Sequence, residues 1–347
     1  MKVLHLLNTS SFSGAENMVC QIIKMFDGSE IDMAYCSRDG SIRDVLDELN
    51  IKFFSIEKMT NAEINRVIDE FNPDVLHAHD MKAAFIASQN LRRIPIVCHI
   101  HNNDFDSRRI SPKSIAFLIA SIKIKHIFWV SEEAMDQYMF AKFVKRKSTV
   151  LYNILDIELL YKKMNTDKSE YSYDTVFVGR LSEEKNPLRL IQIIDMIRER
   201  KPDISMAIVG EGEFRTELEE LIEEKNLCQN VSLKGFQNNP LKIVKDSSVM
   251  VMTSIREGLP MCALEAQIVG TPIVSTPVGA MDKIIDNGVN GFLCESDDEF
   301  VDKITNIVID KEMRNRLSEQ SISFANRFNN KEAFMLKLEK YYLDAMQ

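Results

Sequence analysis

The chain has 347 residues, more than one typical domain needs and suited to two. Its net charge of −9 argues against a non-specific nucleic-acid binder, and 45% apolar residues fit ordinary packed cores rather than a disordered chain. The charge is uneven: residues 1–150 hold 19 basic and 19 acidic side chains, so the deficit falls on residues 151–347. No apolar run reaches the roughly 18–20 residues of a membrane span. The six cysteines are scattered without a C-x-x-C pair, which points to reduced thiols in the cytoplasm rather than a zinc finger or a disulfide frame.

Residues 2–7 read as a first strand rather than a signal peptide. A polar loop, 8–13, and a helix, 14–26, follow. A strand, a loop with Gly14 and a helix start can hold phosphate, because free N–H groups and the helix dipole face the anion there. An ordinary βα turn looks the same. Strands are expected at 31–36, 52–55, 74–78, 96–100, 127–130 and 149–151, with helical segments between them. This alternation predicts a mostly parallel sheet covered on both faces.

DVLHAHD (His77, His79, Asp80) closes one of these strands, and PIVCHIHNND (His99, His101, Asn102, Asp104) closes the next. Residues two apart share a strand face, so each H-x-H pair could chelate a metal. No third ligand follows at typical spacing, so no metal site is expected. Asp104-Phe105-Asp106 spells D-x-D and reads as chance. Residues 107–128 carry Arg108, Arg109, Lys113, Lys123 and Lys125 and no acid. That pattern suits a core-packed helix with a basic rim, or a basic amphipathic surface for anionic lipid.

Residues 156–172 are polar and read as a linker. A strand at 175–178 leads into GRLSEEKNPLRL. Arg180 and Lys185 flank this βα loop; the pair could clamp a diphosphate, and it could equally be surface charge. Gly210-Glu211-Gly212 follows a strand at 204–209 but lacks the third glycine of a dinucleotide fingerprint. Residues 249–252 are a buried strand, 253–259 a loop, 260–269 a helix opened by Pro260 and closed by Gly270, and 273–275 a further strand. Glu257 falls on the loop at a strand's carboxyl end, where open α/β sheets bind ligands. Glu265 falls inside the helix.

EGLPMCALEAQIVGTPIVST resembles the signature of glycosyltransferase family 4, two glutamates separated by seven residues. VGRLxxxKNP, PIVxxxH and the Asn-Gly-x-x-Gly segment near Phe292 are also similar to that family. The resemblance implies a GT-B fold: α/β, two Rossmann-like domains with parallel sheets facing a cleft. It divides the chain into an acceptor-side domain 1–155, a linker 156–172, a nucleotide-sugar domain 173–325, and a C-terminal helix 326–347 returning to the first domain.

The activity implied is retaining, metal-independent sugar transfer from a nucleotide sugar, a UDP-sugar first, to a glycan or lipid-diphosphate acceptor in cell-surface polysaccharide synthesis, with no cofactor. By the same resemblance Glu257 and His101 contact the donor sugar, beside Gly258 and Leu259. Arg180, Lys185 and Gly14 hold the diphosphate, and Glu265, Gly210 and Glu211 lie at the ribose and nucleotide. A peripheral place on the inner membrane face is implied through Arg108, Arg109, Lys123 and Lys125. Two alternatives are a nucleotide-sugar 2-epimerase, which would turn over donor without acceptor, and a silent nucleotide-sugar-binding partner.

Overall fold

The computed structural model describes residues 1–101 and 105–347, leaving aside the side chain of residue 328. Asn102 and Asp104 therefore lie outside the described residues. The chain forms two compact units, Met1–Ile154 with Asn330–Gln347, and Leu155–Asn329.

The first unit holds seven strands: β1 (Lys2–Leu6), β2 (Asp32–Arg38), β3 (Phe53–Ile56), β4 (Val75–Ala78), β5 (Ile96–Ile100), β6 (Ile124–Trp129) and β7 (Ser148–Val150). They pair in parallel in the order β3-β2-β1-β4-β5-β6-β7. Chain order reverses between β1 and β4, the kind of point where such sheets bind ligands. The central strands are buried end to end, as strands covered on both faces are. Side-chain caps open the helices that follow: Asp80 accepts from the Ala83 amide and also from the Asn8 amide, joining the loops after β4 and β1.

The C-terminal helix, Lys331–Met346, belongs to this unit and buries Phe334, Leu338, Tyr342 and Ala345. That is an i, i+4, i+8 stripe, each large member stabilising by roughly 1.5–3 kcal/mol. Leu336 and Leu343 lie off the stripe and are exposed, although residue type alone groups them with it.

The second unit holds β8 (Tyr173–Val178), β9 (Met206–Val209), β10 (Val231–Gly235), β11 (Ser247–Met252), β12 (Ile273–Ser275) and β13 (Gly291–Leu293). They too are parallel, in the order β10-β9-β8-β11-β12-β13, with the reversal between β8 and β11. Leu190, Ile194 and Ile197 of the helix Pro187–Arg200 pack in one core with Phe300 and Ile304 of the helix Asp297–Ile309. The helix Met261–Val269 ends on Gly270 at φ 78°, where an added Cβ would meet Ser318 Oγ at 2.7 Å. Pro260 is its cap rather than its first residue.

Residues expected as a linker hold the helix Ile157–Met164, capped by Asp156 and assigned to the second unit. Leu160 and Met164 are its buried face, and Tyr161 donates to the Ile268 carbonyl at 2.9 Å. The crossing between units falls at Ile154 and Leu155, ahead of the polar tract.

Candidate active site

In the second unit the loops after β8 and β11 meet at the strand-order reversal. Beyond β8, the Gly179 amide donates to the Val209 carbonyl at 3.0 Å and the Leu181 amide to the Glu211 carbonyl at 2.9 Å. Gly210 makes this approach possible. Its φ is +145°, and a Cβ there would lie 1.8 Å from the Gly179 oxygen. A Cβ at Gly212 would lie 2.3 Å from the Leu181 oxygen. A short 3-10 turn, Glu183–Lys185, and a left-handed Asn186 at φ 49° then deliver Pro187 to the first helical position.

The loop after β11 is stitched to that turn. Thr253 Oγ1 donates to the Asn186 carbonyl at 3.0 Å, and the Ile255 amide donates to the Glu184 carbonyl at 2.8 Å. Lys185 Nζ donates to both Glu257 carboxylate oxygens, at 2.6 and 2.7 Å. Ser254 Oγ donates to the same carboxylate at 2.6 Å, while the Ser254 carbonyl accepts from Thr276. The Glu257 side chain is only 6% exposed, so its charge depends on these partners. Burial lowers the Lys185 pKa, but the Glu257 carboxylate, with Cys262 and Glu184, together more than offset this and raise it, so the ammonium stays charged. The Gly258 carbonyl accepts from the Ala280 amide at 2.9 Å, and Leu259 beyond it is buried.

Glu265 sits half-buried on the helix Met261–Val269. The Cys262 thiol registers it: burial pushes that thiol up to about 12, Lys185 opposes, and Glu257 and Glu265 add to the rise. Lys185, Glu257, Glu265 and Cys262 thus share one electrostatic neighbourhood. Arg180 is exposed, and its side chain makes no hydrogen bond or ion pair among the described residues. Gly210 is buried against Gly179, its N–H donating to the Gly235 carbonyl. Glu211 turns to Arg215 at 3.0 Å, a surface pair one helical turn apart.

Two expected site residues belong to the first unit. Gly14 is exposed at the start of the helix Gly14–Met25. That helix end already has an anionic complement, since Glu16 lies buried in the first turn and accepts from Ser13. His101 follows β5 directly and joins a wider group. His5 of β1, His77 and His79 at the end of β4, and His99 and His101 at the end of β5 converge. Register sets this: His5 pairs opposite His77 and His77 opposite Val97, so all five odd-numbered residues share one sheet face. Third ligands therefore come from the neighbouring strand rather than from local spacing. His5, His77 and His79 form one trio and His79, His99 and His101 another, each with ring nitrogens within 4.8 Å. Burial lowers every one of these histidine pKa values, to about 3 for His5 and His101, so the rings are neutral at pH 7.

The basic segment resolves into the helix Pro112–Ser121 and its flanks. Arg109 pairs with Asp106 at 2.7 Å, and Lys123 donates to the Ser88 carbonyl at 2.8 Å. Lys125 is exposed and Arg108 half-buried. The apolar side of this segment is partly outward: Ile115, Ile119 and Ile122 stand exposed at i, i+4 and i+7, with Ile110 and Phe143 also exposed. Their helical spacing is the signal the sequence carries.

Comparison with known proteins agrees with this fold. Residues 162–324 match the model "Glycosyl transferases group 1", and residues 13–159 match "Glycosyltransferase Family 4". The chain is 25% identical to the Escherichia coli UDP-Gal:alpha-D-GlcNAc-diphosphoundecaprenol alpha-1,3-galactosyltransferase, over 95% of this chain and 93% of that one. It is 29% identical to an uncharacterized glycosyltransferase of Methanocaldococcus jannaschii, over 64% of this chain and 60% of that relative's length. The solved structure of Anabaena HepE with UDP-glucose superposes with a TM-score of 0.85 at 19% identity, covering 98% of each chain. Two parallel α/β units of this kind define the GT-B architecture. The chain belongs to glycosyltransferase family 4, and its relatives include glycosyltransferases of bacterial polysaccharide and cell-wall synthesis, which favours neither an epimerase nor a silent partner.

Proposed function

We propose that the protein moves a sugar from a nucleotide-diphosphate sugar to a glycan or lipid-linked acceptor, with retention at the anomeric carbon, in making cell-surface polysaccharide. The observation that carries this reading is the Lys185–Glu257 contact at the β8/β11 reversal, with the exposed Arg180 side chain on the same loop after β8. A carboxylate accepts only, so Glu257 is suited to sugar hydroxyls and Glu265 to ribose hydroxyls. Arg180 and Lys185 hold the diphosphate and offset charge as the nucleotide departs through an oxocarbenium-like state. Gly14, Gly210 and Glu211 are the nucleotide-side contacts, Gly258 and Leu259 shape the sugar loop, and His101 contacts the sugar. UDP is the preferred nucleotide, as in the names of the E. coli relative and the HepE complex. The reading uses no cofactor or metal. Transfer assays across UDP-, GDP- and ADP-sugars test it, with anomeric configuration read by NMR. An inverted product would refute retention, and donor binding with no turnover to any acceptor would refute transfer.

A membrane-surface contact is a second reading, favoured by the exposed Ile115, Ile119 and Ile122 beside Lys113 and Lys125. Apolar side chains rimmed by cations suit an interfacial helix on anionic lipid, where a lipid-diphosphate acceptor would be met.

A further inference from the structure

Of the five histidines, four buried and His101 half-buried, three form a directed chain of contacts. His5 Nε2 lies 3.4 Å from the Met33 sulfur, His5 Nδ1 lies 2.8 Å from His79 Nε2, and His79 Nδ1 lies 3.0 Å from His101 Nε2. A thioether sulfur accepts and never donates, while a neutral imidazole has one donor and one acceptor. The direction of the whole chain follows from its end. His5 must place its proton on Nε2 to face Met33, which leaves Nδ1 to accept. His79 then donates from Nε2 and accepts at Nδ1, and His101 donates from Nε2. The last atom, His101 Nδ1, is buried and has no partner among the described residues. It is a lone pair held ready for a donor.

We propose that His79 and His5 are positioning residues: with the Met33 sulfur as terminal acceptor, they fix His101 with its proton on Nε2 and offer Nδ1 to a sugar hydroxyl. This rests on the reading of His101 as a donor-sugar contact. The alternative use of the same rings is a metal site, since each trio has ligand-like spacing. The 2.8 and 3.0 Å nitrogen contacts are hydrogen-bond lengths, and the Met33 contact gives them a direction that a shared cation would erase.

Nitrogen-15 correlation spectra of histidine-labelled full-length protein read each tautomer without an activity assay. The expected result is the Nε2–H form for His5, His79 and His101. Met33→Leu keeps the volume but removes the acceptor, and it should introduce a second tautomer at all three rings. His79→Leu should lower kcat about tenfold or more with donor KM little changed, and His79→Asn, whose amide oxygen replaces the Nδ1 acceptor, should restore part of it. An Nδ1–H form at His101, or unchanged tautomers in Met33→Leu, overturns the proposal. So does a stoichiometric transition metal in the purified protein whose removal by chelator changes the tautomers. If instead the tautomers are as expected and His101→Gln leaves turnover unchanged, the donor-contact reading of His101 fails rather than the chain that orients it.

Discussion

Lys185 grips the Glu257 carboxylate with two hydrogen bonds across 72 residues of sequence, and the pair closes the loops after β8 and β11 against each other. The proposed function makes the pair both scaffold and chemistry, and the two roles separate by substitution. Lys185→Ala strands a carboxylate that is 6% exposed. Because Lys185 itself keeps 21% exposure, the cost should be about 2–4 kcal/mol, below that of a fully buried pair. For a unit of this size that is a fall of about 5–15 °C in melting temperature. Glu257→Gln keeps hydrogen bonding to Ser254 and should fold with a smaller loss, yet reduce sugar transfer by about 10²-fold or more. Calorimetry and transfer assays on both variants, with the double variant closing the cycle, check the division; equal losses of stability and activity in Glu257→Gln would show a purely structural glutamate.

Arg180 makes the complementary case. It is exposed and unpaired, so Arg180→Ala should leave stability within about 0.5 kcal/mol. Nucleotide-diphosphate affinity should fall about tenfold or more by calorimetric titration, because a charge-assisted contact is lost. Arg180→Lys should recover only part, since an ammonium lacks the planar two-pronged fork. Full recovery would mean that Arg180 supplies charge alone.

Gly279 tests whether the Glu257 loop is held from behind. Its φ is +62°, and a Cβ would lie 2.3 Å from the Glu257 carbonyl oxygen. Gly279→Ala therefore combines backbone strain with displacement of the loop, at about 1–3 kcal/mol. Turnover should fall further than this stability loss implies, because the displaced group is the backbone of residue 257. Gly28→Ala is the control: the same left-handed strain at φ +80° in open space, with activity unchanged.

Much of this arrangement is legible in the chain. β5 and β12 fall at residues 96–100 and 273–275 as read, because parallel strands buried on both faces are short apolar runs between turn residues. Glu257 on its loop and Glu265 in its helix follow from the same alternation. The Lys185–Glu257 contact is not legible, since no local rule joins positions 72 apart. The five-histidine face is half legible: parity within each strand is plain, but the pairing of β1 with β4 is a tertiary fact. The helix Ile157–Met164 hid in a polar tract because only Leu160 and Met164, one turn apart, are buried in it.

The isoleucine face gives a prediction of its own. Flotation with vesicles rich in anionic lipid should retain the protein. Replacing Ile115, Ile119 and Ile122 by Asn should weaken retention about a hundredfold or more, each losing roughly 1–2 kcal/mol of apolar contact that only partly inserts. Arg108, Arg109, Lys123 and Lys125 changed to Glu should abolish retention at low salt. Arg109 and Lys123 already have protein partners, so Lys125 should carry more of the effect singly. Retention unchanged in both sets would end the membrane reading.

The buried histidines also set a pH dependence whose sign follows from burial. His5 titrates near 3 when folded, against 6.5 for an exposed histidine, because burial disfavours the imidazolium. The neighbours facing it, His77 and His79 with His99 beyond, are lowered by burial and by the other histidines, and His101 by burial, so none takes the proton in its place. Between pH 6.5 and about 3 the unfolded chain binds protons that the folded chain refuses. Stability is therefore complete above about pH 6.5 and is lost as the pH falls, by about 1.4 kcal/mol per unit for each such histidine. At pH 5, His5 and His101 together should cost on the order of 4 kcal/mol. Denaturant melts of the wild type and of His5→Gln between pH 5 and 7 measure this, and the variant's stability should fall with pH less steeply, by one proton. Parallel slopes would mean that His5 takes its proton without unfolding, and that the packed ring face opens to water in the native state.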